Sequence, residues 1–169
     1  MNGTGEGAPN HPTADTDSLV IAPEARTGMV AHAYRCFPEE MCGLIAGVPG
    51  SERVEHFYPC RNDAASAKLY TINPTDYLRA ERDAESHGWE IIGCVHSHTH
   101  TEPYPSPTDV AAAPDPTWAY VIVSLKRDAP EIRGYRIRDT VRGDAGDAAG
   151  DDPGRPYHDV ISEIGLSVR

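Results

Sequence analysis

"WEIIGCVHSH", residues 89–98, is an apolar run that ends in two histidines. Its length and composition predict a buried β-strand. Side chains alternate along a strand, so His96 and His98 project to one face while Ser97 points to the other. Two imidazoles side by side at the end of a strand are suited to bind a metal ion. This strand is therefore the expected centre of both the fold and the candidate site.

Four further apolar segments predict strands around this one. They are residues 42–47, 54–60, 118–125 and 131–138. Helical patterns occupy residues 23–37, which Pro38 ends, and the segment after Asn73. In the second helix we expect Asn73 as the N-cap, Pro74 at the first position and Gly88 as the terminator. Two helices and about five strands predict an α/β domain, with helices packed on a sheet.

The helix over residues 23–37 is expected to pack on the sheet through one apolar face. Helical spacing places Met29, Val30, Ala33, Tyr34 and Phe37 on that face.

Composition divides the chain into four parts. Residues 1–17 are poor in apolar side chains, which predicts a disordered tail. Residues 18–140 form the expected domain, residues 141–156 an acidic loop rich in Gly and Asp, and residues 157–169 a C-terminal segment. Much of the net charge of −11 lies in the tail and the acidic loop.

Charge and hydropathy narrow the possible functions. An acidic chain is not expected to bind duplex nucleic acid, whose phosphates attract basic proteins. The sequence lacks an 18-residue apolar run and a secretion signal, so we expect no membrane association and a cytoplasmic location. Four cysteines without C-x-x-C spacing are expected to be buried thiols.

Asp109 offers a third metal ligand, because it follows His98 after a loop rich in Pro and Thr that can turn the chain back. Two neutral imidazoles, a carboxylate and an open position would suit catalytic zinc. The segment "SPTD", residues 106–109, is also a helix-capping signature, with Ser106 as the cap. The two interpretations are compatible, because a helix start is a rigid place from which to aim a ligand.

Metal-assisted hydrolysis also needs a proton acceptor that is not a ligand. Glu40 stands just before the buried run 42–47, where its carboxylate could lean over the metal. The alternative is that Glu39 and Glu40 are a solvated pair at a helix end. His100 lies in the loop after His98 and is interpreted as a rim residue, not a ligand.

These residues spell the pattern E…H-x-H-x7-S-x2-D, which resembles the JAMM (MPN+) zinc metallopeptidase family over roughly residues 20–140. The resemblance implies a single MPN domain with a curved mixed sheet flanked by helices. It implies one zinc ion held by the two histidines and Asp109, with Glu40 as the base and Ser106 as the hydrogen-bond donor to the oxyanion. The family glutamate stands two residues before a Cys-Gly pair, which favours Glu40 over Glu39.

The family members differ in substrate. Deubiquitinating members usually have Pro after His-x-His, whereas Thr99 stands here. The segment 96–110 is instead similar to small bacterial members that release cysteine from a CysO-type sulfur carrier. The resemblance thus implies hydrolysis after the C-terminal Gly-Gly of a small ubiquitin-like sulfur-carrier protein, with release of cysteine.

Three alternatives use the same residues differently. A processing peptidase would trim a sulfur-carrier precursor to expose Gly-Gly in a natural-product sulfur pathway. A non-catalytic MPN module would only bind partners, although such modules lose ligands or the glutamate, and this chain keeps them. A phosphoesterase can begin with His-x-His-Thr, but it needs further His and Asp ligands, and beyond Asp109 only one histidine, His158, follows.

Overall fold

The computed structural model describes residues 17–138 and 157–169. Most of the predicted tail and the predicted acidic loop lie outside these residues. The strands in the described ranges are β1 (Ser18–Ile21), β2 (Cys42–Gly47), β3 (Arg53–Val54), β4 (His56–Cys60), β5 (Glu90–His98), β6 (Ala119–Ser124), β7 (Glu131–Ile137) and β8 (Ile161–Val168). The helices there are α1 (Pro23–Cys36), α2 (Pro74–Ser86), α3 (Pro107–Ala112) and a single 3₁₀ turn, Tyr157–Val160.

The strands form one mixed sheet in the order β3-β1-β8-β7-β6-β5-β2-β4. β5 and β6 run parallel, as do β1 and each of its neighbours, and the other pairs are antiparallel. Only Glu55 separates β3 from β4 along the chain, although the two strands lie at opposite ends of this order. The sheet must therefore curl until its two edges meet. The predicted α/β fold with a mixed sheet and helices is confirmed.

Each face of the sheet has its own core and its own helix. α1 covers one face through Ala25, Met29 and Ala33, which pack with Val95 of β5 and with other apolar strand residues. The opposite core includes Ala80 of α2 together with Cys94 of β5. Because side chains alternate along β5, the side chains of His96 and His98 share the α2 face with Cys94.

The predicted contact face of α1 was partly wrong. Tyr34 and Phe37 are 52% and 49% exposed, whereas Ala25, Met29 and Ala33 are buried. The buried residues are spaced four apart and follow one side of the helix. Tyr34 comes one residue after Ala33 and is rotated about 100° away from that side.

The prediction of about five strands missed β1 and β8 and treated β3 and β4 as one strand over residues 54–60. β1 and β3 have only four and two residues, too few to show a pattern. In β8 only Ile164 is fully buried, so the strand lacks a regular apolar alternation. β8 nevertheless pairs with β1 and β7, so the C-terminal segment is part of the sheet.

The predicted ends of α2 are confirmed. The Asn73 side chain accepts hydrogen bonds from the N–H groups of Thr75 and Asp76, and Pro74 opens the helix. Gly88 follows the helix with a φ of 72°, a conformation that glycine adopts without strain. Among residues 17–138 and 157–169, every helix is too short or too polar to cross a bilayer.

Candidate metal centre

The end of β5 brings the two predicted imidazoles together. His96 and His98 are both buried, and their Nε2 atoms lie 3.1 Å apart. β5 runs between β2 and β6 at this point, so its backbone is bonded on both sides. The rings therefore project from a central strand that is hydrogen-bonded along both edges.

Asp109 reaches the same point from the start of α3. Its Oδ1 lies 3.4 Å from Nε2 of His96, and its Oδ2 lies 3.4 Å from Nε2 of His98. Asp109 also forms the capping box with Ser106: its N–H donates to Ser106 Oγ, and its Oδ2 accepts from the Ser106 N–H at 2.7 Å. The capping interpretation of "SPTD" is therefore confirmed, and the same carboxylate faces the histidines, as the ligand interpretation requires.

The two histidines are oriented by different contacts. Nδ1 of His98 donates to the carbonyl oxygen of Glu102 at 2.7 Å, so its Nε2 lone pair is directed at the site. The ring of His96 instead stacks on Tyr70, with the centroids 4.5 Å apart and the planes 19° apart. Nδ1 of His96 has no hydrogen-bond partner in the described part of the chain.

The charges of these three residues are coupled. Burial by itself would raise the pKa of Asp109, but hydrogen bonds from His96 and His98 hold it well below its usual range. Burial would likewise lower the pKa of His98, but Asp109 and the Glu102 carbonyl raise it. Burial lowers the pKa of His96, because its neighbours compensate less.

The donor atoms fit a metal ion. The two Nε2 atoms lie 3.1 Å apart, close to the edge of about 3.3 Å that a tetrahedron with bonds of about 2.0 Å would have, and each lies 3.4 Å from a different oxygen of the Asp109 carboxylate. Because Nδ1 of His98 donates to a carbonyl oxygen, Nε2 of its neutral ring carries a lone pair that a metal ion could accept. His96, His98 and Asp109 could thus hold a metal ion.

Glu40 lies against this cluster because the chain continues the register of the sheet. Cys42 pairs with His96 in antiparallel register. The Ser97 N–H donates to the Met41 carbonyl and the Met41 N–H donates to Ser97 Oγ, which places Glu40 opposite His98. Glu40 is 5% exposed, and its Oε2 has no hydrogen-bond partner among residues 17–138 and 157–169. Burial raises its pKa to about 7.

The remaining predicted residues surround this group. Ser106 Oγ accepts from the N–H of Asp109, which leaves its hydroxyl hydrogen free to donate elsewhere. Glu39 is exposed. His100 is exposed as well and packs edge-on against Phe37, with ring centroids 6.0 Å apart.

Tyr70 and Asn62 had no predicted role, although both contact residues of the site. Tyr70 stacks on His96, and the side chain of Asn62 donates to the carbonyl oxygen of Glu40 at 3.0 Å. Both residues lie in a loop before α2, far from the motif residues along the chain. The sequence carries no spacing signal that could have identified them.

Comparison with known proteins defines the class. The family of prokaryotic homologues of the JAB domain matches residues 23–138, so the chain belongs to this family, and the predicted JAMM (MPN) resemblance is confirmed. It is 41% identical over 122 residues to the CysO-cysteine peptidase of Mycobacterium tuberculosis, which covers 72% of this chain and 84% of that protein.

Two further proteins are similar. The desampylase of Haloferax volcanii is 32% identical over 111 residues, which cover 63% of this chain and 80% of that protein. The solution structure of protein DSY2949 from Desulfitobacterium hafniense has a TM-score of 0.72 and 27% identity, and the match covers 89% of this chain and 92% of that one. The fold is therefore that of a JAB domain protein.

Proposed function

We propose that this protein is a zinc-dependent peptidase that cleaves the bond after the C-terminal Gly-Gly of a small ubiquitin-like sulfur-carrier protein and releases cysteine. The observation that carries the proposal is the buried Glu40 carboxylate beside the cluster of His96, His98 and Asp109. The similarity to the CysO-cysteine peptidase supports the choice of substrate.

In this proposal Nε2 of His96, Nε2 of His98 and the Asp109 carboxylate hold the zinc ion. Bound there, zinc would acidify a water molecule and polarise the scissile carbonyl group. His98 keeps its Nε2 directed at the site because its Nδ1 donates to the Glu102 carbonyl. The d-electrons of zinc impose no preferred coordination geometry. Two nitrogen ligands and one oxygen ligand would leave a coordination position open for substrate.

Glu40 acts as the proton carrier. Its ionised carboxylate accepts the proton of the attacking water and then delivers it to the nitrogen of the leaving amine. Burial favours the neutral form and raises the pKa of Glu40 to about 7, so both forms are accessible near neutral pH. Within the described residues Oε2 has no hydrogen-bond partner that would compete with this exchange.

Ser106 stabilises the transition state. Its hydroxyl accepts from the Asp109 N–H, so its own hydrogen can point to the oxygen that becomes negative during attack. The same capping box fixes the hydroxyl at a rigid helix start. A substrate tail of two glycines suits such a crowded site, because residues without Cβ can pass close to the metal.

The test uses the full chain loaded with zinc and a small carrier protein ending in Gly-Gly, with cysteine attached to the last glycine. Mass spectrometry is expected to show loss of the cysteine, and a chelator is expected to stop the reaction until zinc is added back. A carrier with Ala-Ala before the cysteine is the matched control. A carrier extended by a peptide distinguishes a processing peptidase, which would cleave only the extended form. Failure to cleave either form would contradict the proposal.

A further inference from the structure

A loop before α2, residues 62–72, contacts the candidate site from outside the sheet. We call it the clamp loop. Its two ends pair with each other through an isolated bridge between Asn62 and Ile72. In its middle, the carbonyl oxygen of Ser66 accepts from the N–H of Glu40 at 2.8 Å. Near its end, Tyr70 stacks on His96. The clamp loop therefore contacts both the candidate base and a candidate ligand.

Asn62 is the residue that holds the clamp loop in shape. Its Nδ2 donates to the carbonyl oxygens of Glu40 and Leu69, at 3.0 and 2.9 Å. Its Oδ1 accepts from the N–H groups of Ala64 and Thr71, at 3.0 and 2.9 Å. The side-chain nitrogen faces only carbonyls and the side-chain oxygen faces only N–H groups, so the partners fix the orientation of the amide.

Glu40 depends on these bonds because it precedes β2 and has no place in the hydrogen-bond ladder of that strand. The clamp loop supplies a partner for its N–H through Ser66 and for its carbonyl through Asn62. The next residue, Met41, is held by the side chain of Ser97. With one carboxylate oxygen unpartnered within the described residues, the position of the Glu40 side chain follows from that of its backbone.

We infer that Asn62 is a positioning residue for the Glu40 carboxylate, acting through the Glu40 backbone without contacting the substrate. The inference rests on the proposed function, because it assigns Asn62 to the proton transfer that Glu40 performs. Loss of the two Asn62 donors leaves the metal ligands in place but allows the Glu40 backbone, and with it the carboxylate, to move. This displacement lowers the rate of the chemical step, because misplacing a reacting group by about 1 Å can cost about 100-fold in rate. Substrate binding stays unchanged.

The test compares Asn62→Asp with Asn73→Asp. The first change keeps the acceptor for Ala64 and Thr71 but removes both donors to Glu40 and Leu69. The second makes the same change in charge just beyond the clamp loop, where the Asn73 side chain bonds Asp63 and caps α2 without contacting Glu40. For each variant, kcat and KM on the cysteinylated carrier, the zinc affinity, the Tm and the exchange rate of the Glu40 amide hydrogen are measured.

We expect Asn62→Asp to lower kcat by about 10- to 100-fold with unchanged KM and zinc affinity, and to speed exchange of the Glu40 amide. Asn73→Asp should lower the Tm at least as much while kcat and that exchange rate stay near the wild-type values. Equal kcat in the two variants would overturn the inference. If Asn62→Asp does not fold, Asn62→Ser, whose shorter side chain cannot bridge the same partners, takes its place.

The inference and the proposed function can fail separately. A wild-type protein without turnover rejects the proposed function, whereas a wild-type protein with turnover that Asn62→Asp does not reduce rejects only the role of Asn62. Unchanged exchange of the Glu40 amide in Asn62→Asp would also reject it, whatever the activity.

Discussion

Two neighbouring groups of the site differ in the hydrogen-bond partners of their carboxylates. One is the candidate ligand cluster, formed by His96, His98 and Asp109, and the other is Glu40. Both carboxylate oxygens of Asp109 have partners, from the histidine rings and from the Ser106 N–H. Glu40 is buried to a similar degree, yet its Oε2 has none in the described ranges. Burial raises the pKa of Glu40 to about 7, whereas the histidines hold that of Asp109 well below its usual range.

This difference shows how two carboxylates in one site can be suited to different tasks. Asp109 is held in its ionised form, which suits the metal ligand proposed above. Glu40 without a metal has a pKa of about 7, which suits the proposed proton carrier. The separation comes from the partners, since both carboxylates lose solvent, and only one gains enough hydrogen bonds to compensate.

The largest effect is expected from breaking the ligand cluster. His98→Ala or Asp109→Asn should weaken zinc binding by more than about 100-fold, since changes outside the first coordination sphere already cost up to that much. Turnover should fall to background. Metal content after dialysis measures this directly, and His100→Ala, a histidine only two residues after His98, is the matched control that should keep its zinc. Zinc retained by both ligand variants would refute the ligand set.

The second-largest effect distinguishes the proposed base, Glu40, from the proposed metal ligands. Glu40→Gln keeps the shape of the side chain but cannot accept a proton, so kcat should fall by about 10²- to 10⁴-fold while zinc affinity stays the same. Metal titration measures the zinc affinity, and steady-state kinetics measure kcat. Glu39→Gln makes the same change on the adjacent exposed residue and should leave kcat unaltered. A fully active Glu40→Gln protein would remove Glu40 from the mechanism.

Much of the site could be predicted from the sequence because its signals are local. The alternation along β5 places His96 and His98 on one face, and the cap "SPTD" places Asp109 at a helix start. Both patterns depend on neighbouring residues only. The same reasoning found α2 and its cap, since Asn73, Pro74 and Gly88 act within one segment.

The contacts that complete the site could not be predicted, because they join residues that are distant along the chain. Asn62 bonds Glu40 across 22 positions, and Tyr70, in the same clamp loop, packs on His96 of β5. β8 was missed because its stability depends on pairing with β1 and β7, which its own residues do not reveal. Tyr34 was assigned to the apolar face of α1 on spacing alone, although the packing of α1 leaves it exposed.

A smaller effect is expected from Ser106. Ser106→Gly removes the hydroxyl donor but costs the helix cap only a few tenths of a kcal/mol, so the fold and zinc affinity should persist. We expect kcat to fall by about 10²- to 10³-fold, the range seen when one oxyanion donor is lost. Ser106→Thr keeps both the hydroxyl and the cap and should retain most of the activity. Equal activity in the two variants would exclude Ser106 as the donor.

The smallest effect comes from pH. Only the ionised Glu40 accepts a proton, so kcat/KM should fall by about tenfold for each pH unit below the pKa of Glu40. Burial raises this pKa from 4.5 to about 7, and a bound cation would lower it, because positive charge favours the carboxylate. The acidic limb of the zinc-loaded protein should therefore have its midpoint between these two values. A rate that stays constant down to pH 4.5 would contradict the role of Glu40.

The same pKa can be assigned to Glu40 without measuring activity, from the unfolding of chelator-treated protein in urea at pH 5 and pH 7.5. The folded pKa of Glu40 is raised above the unfolded value, so between about 4.5 and about 7 the folded state binds more protons. The contribution of Glu40 to the free energy of unfolding therefore falls as the pH rises through this window. Glu40→Gln should abolish that contribution and Glu39→Gln should not, so the difference between the variants reports Glu40 together with its electrostatic coupling to His98. The same pH dependence in wild type and Glu40→Gln would mean that the pKa of Glu40 is not raised, which would remove the contrast with Asp109.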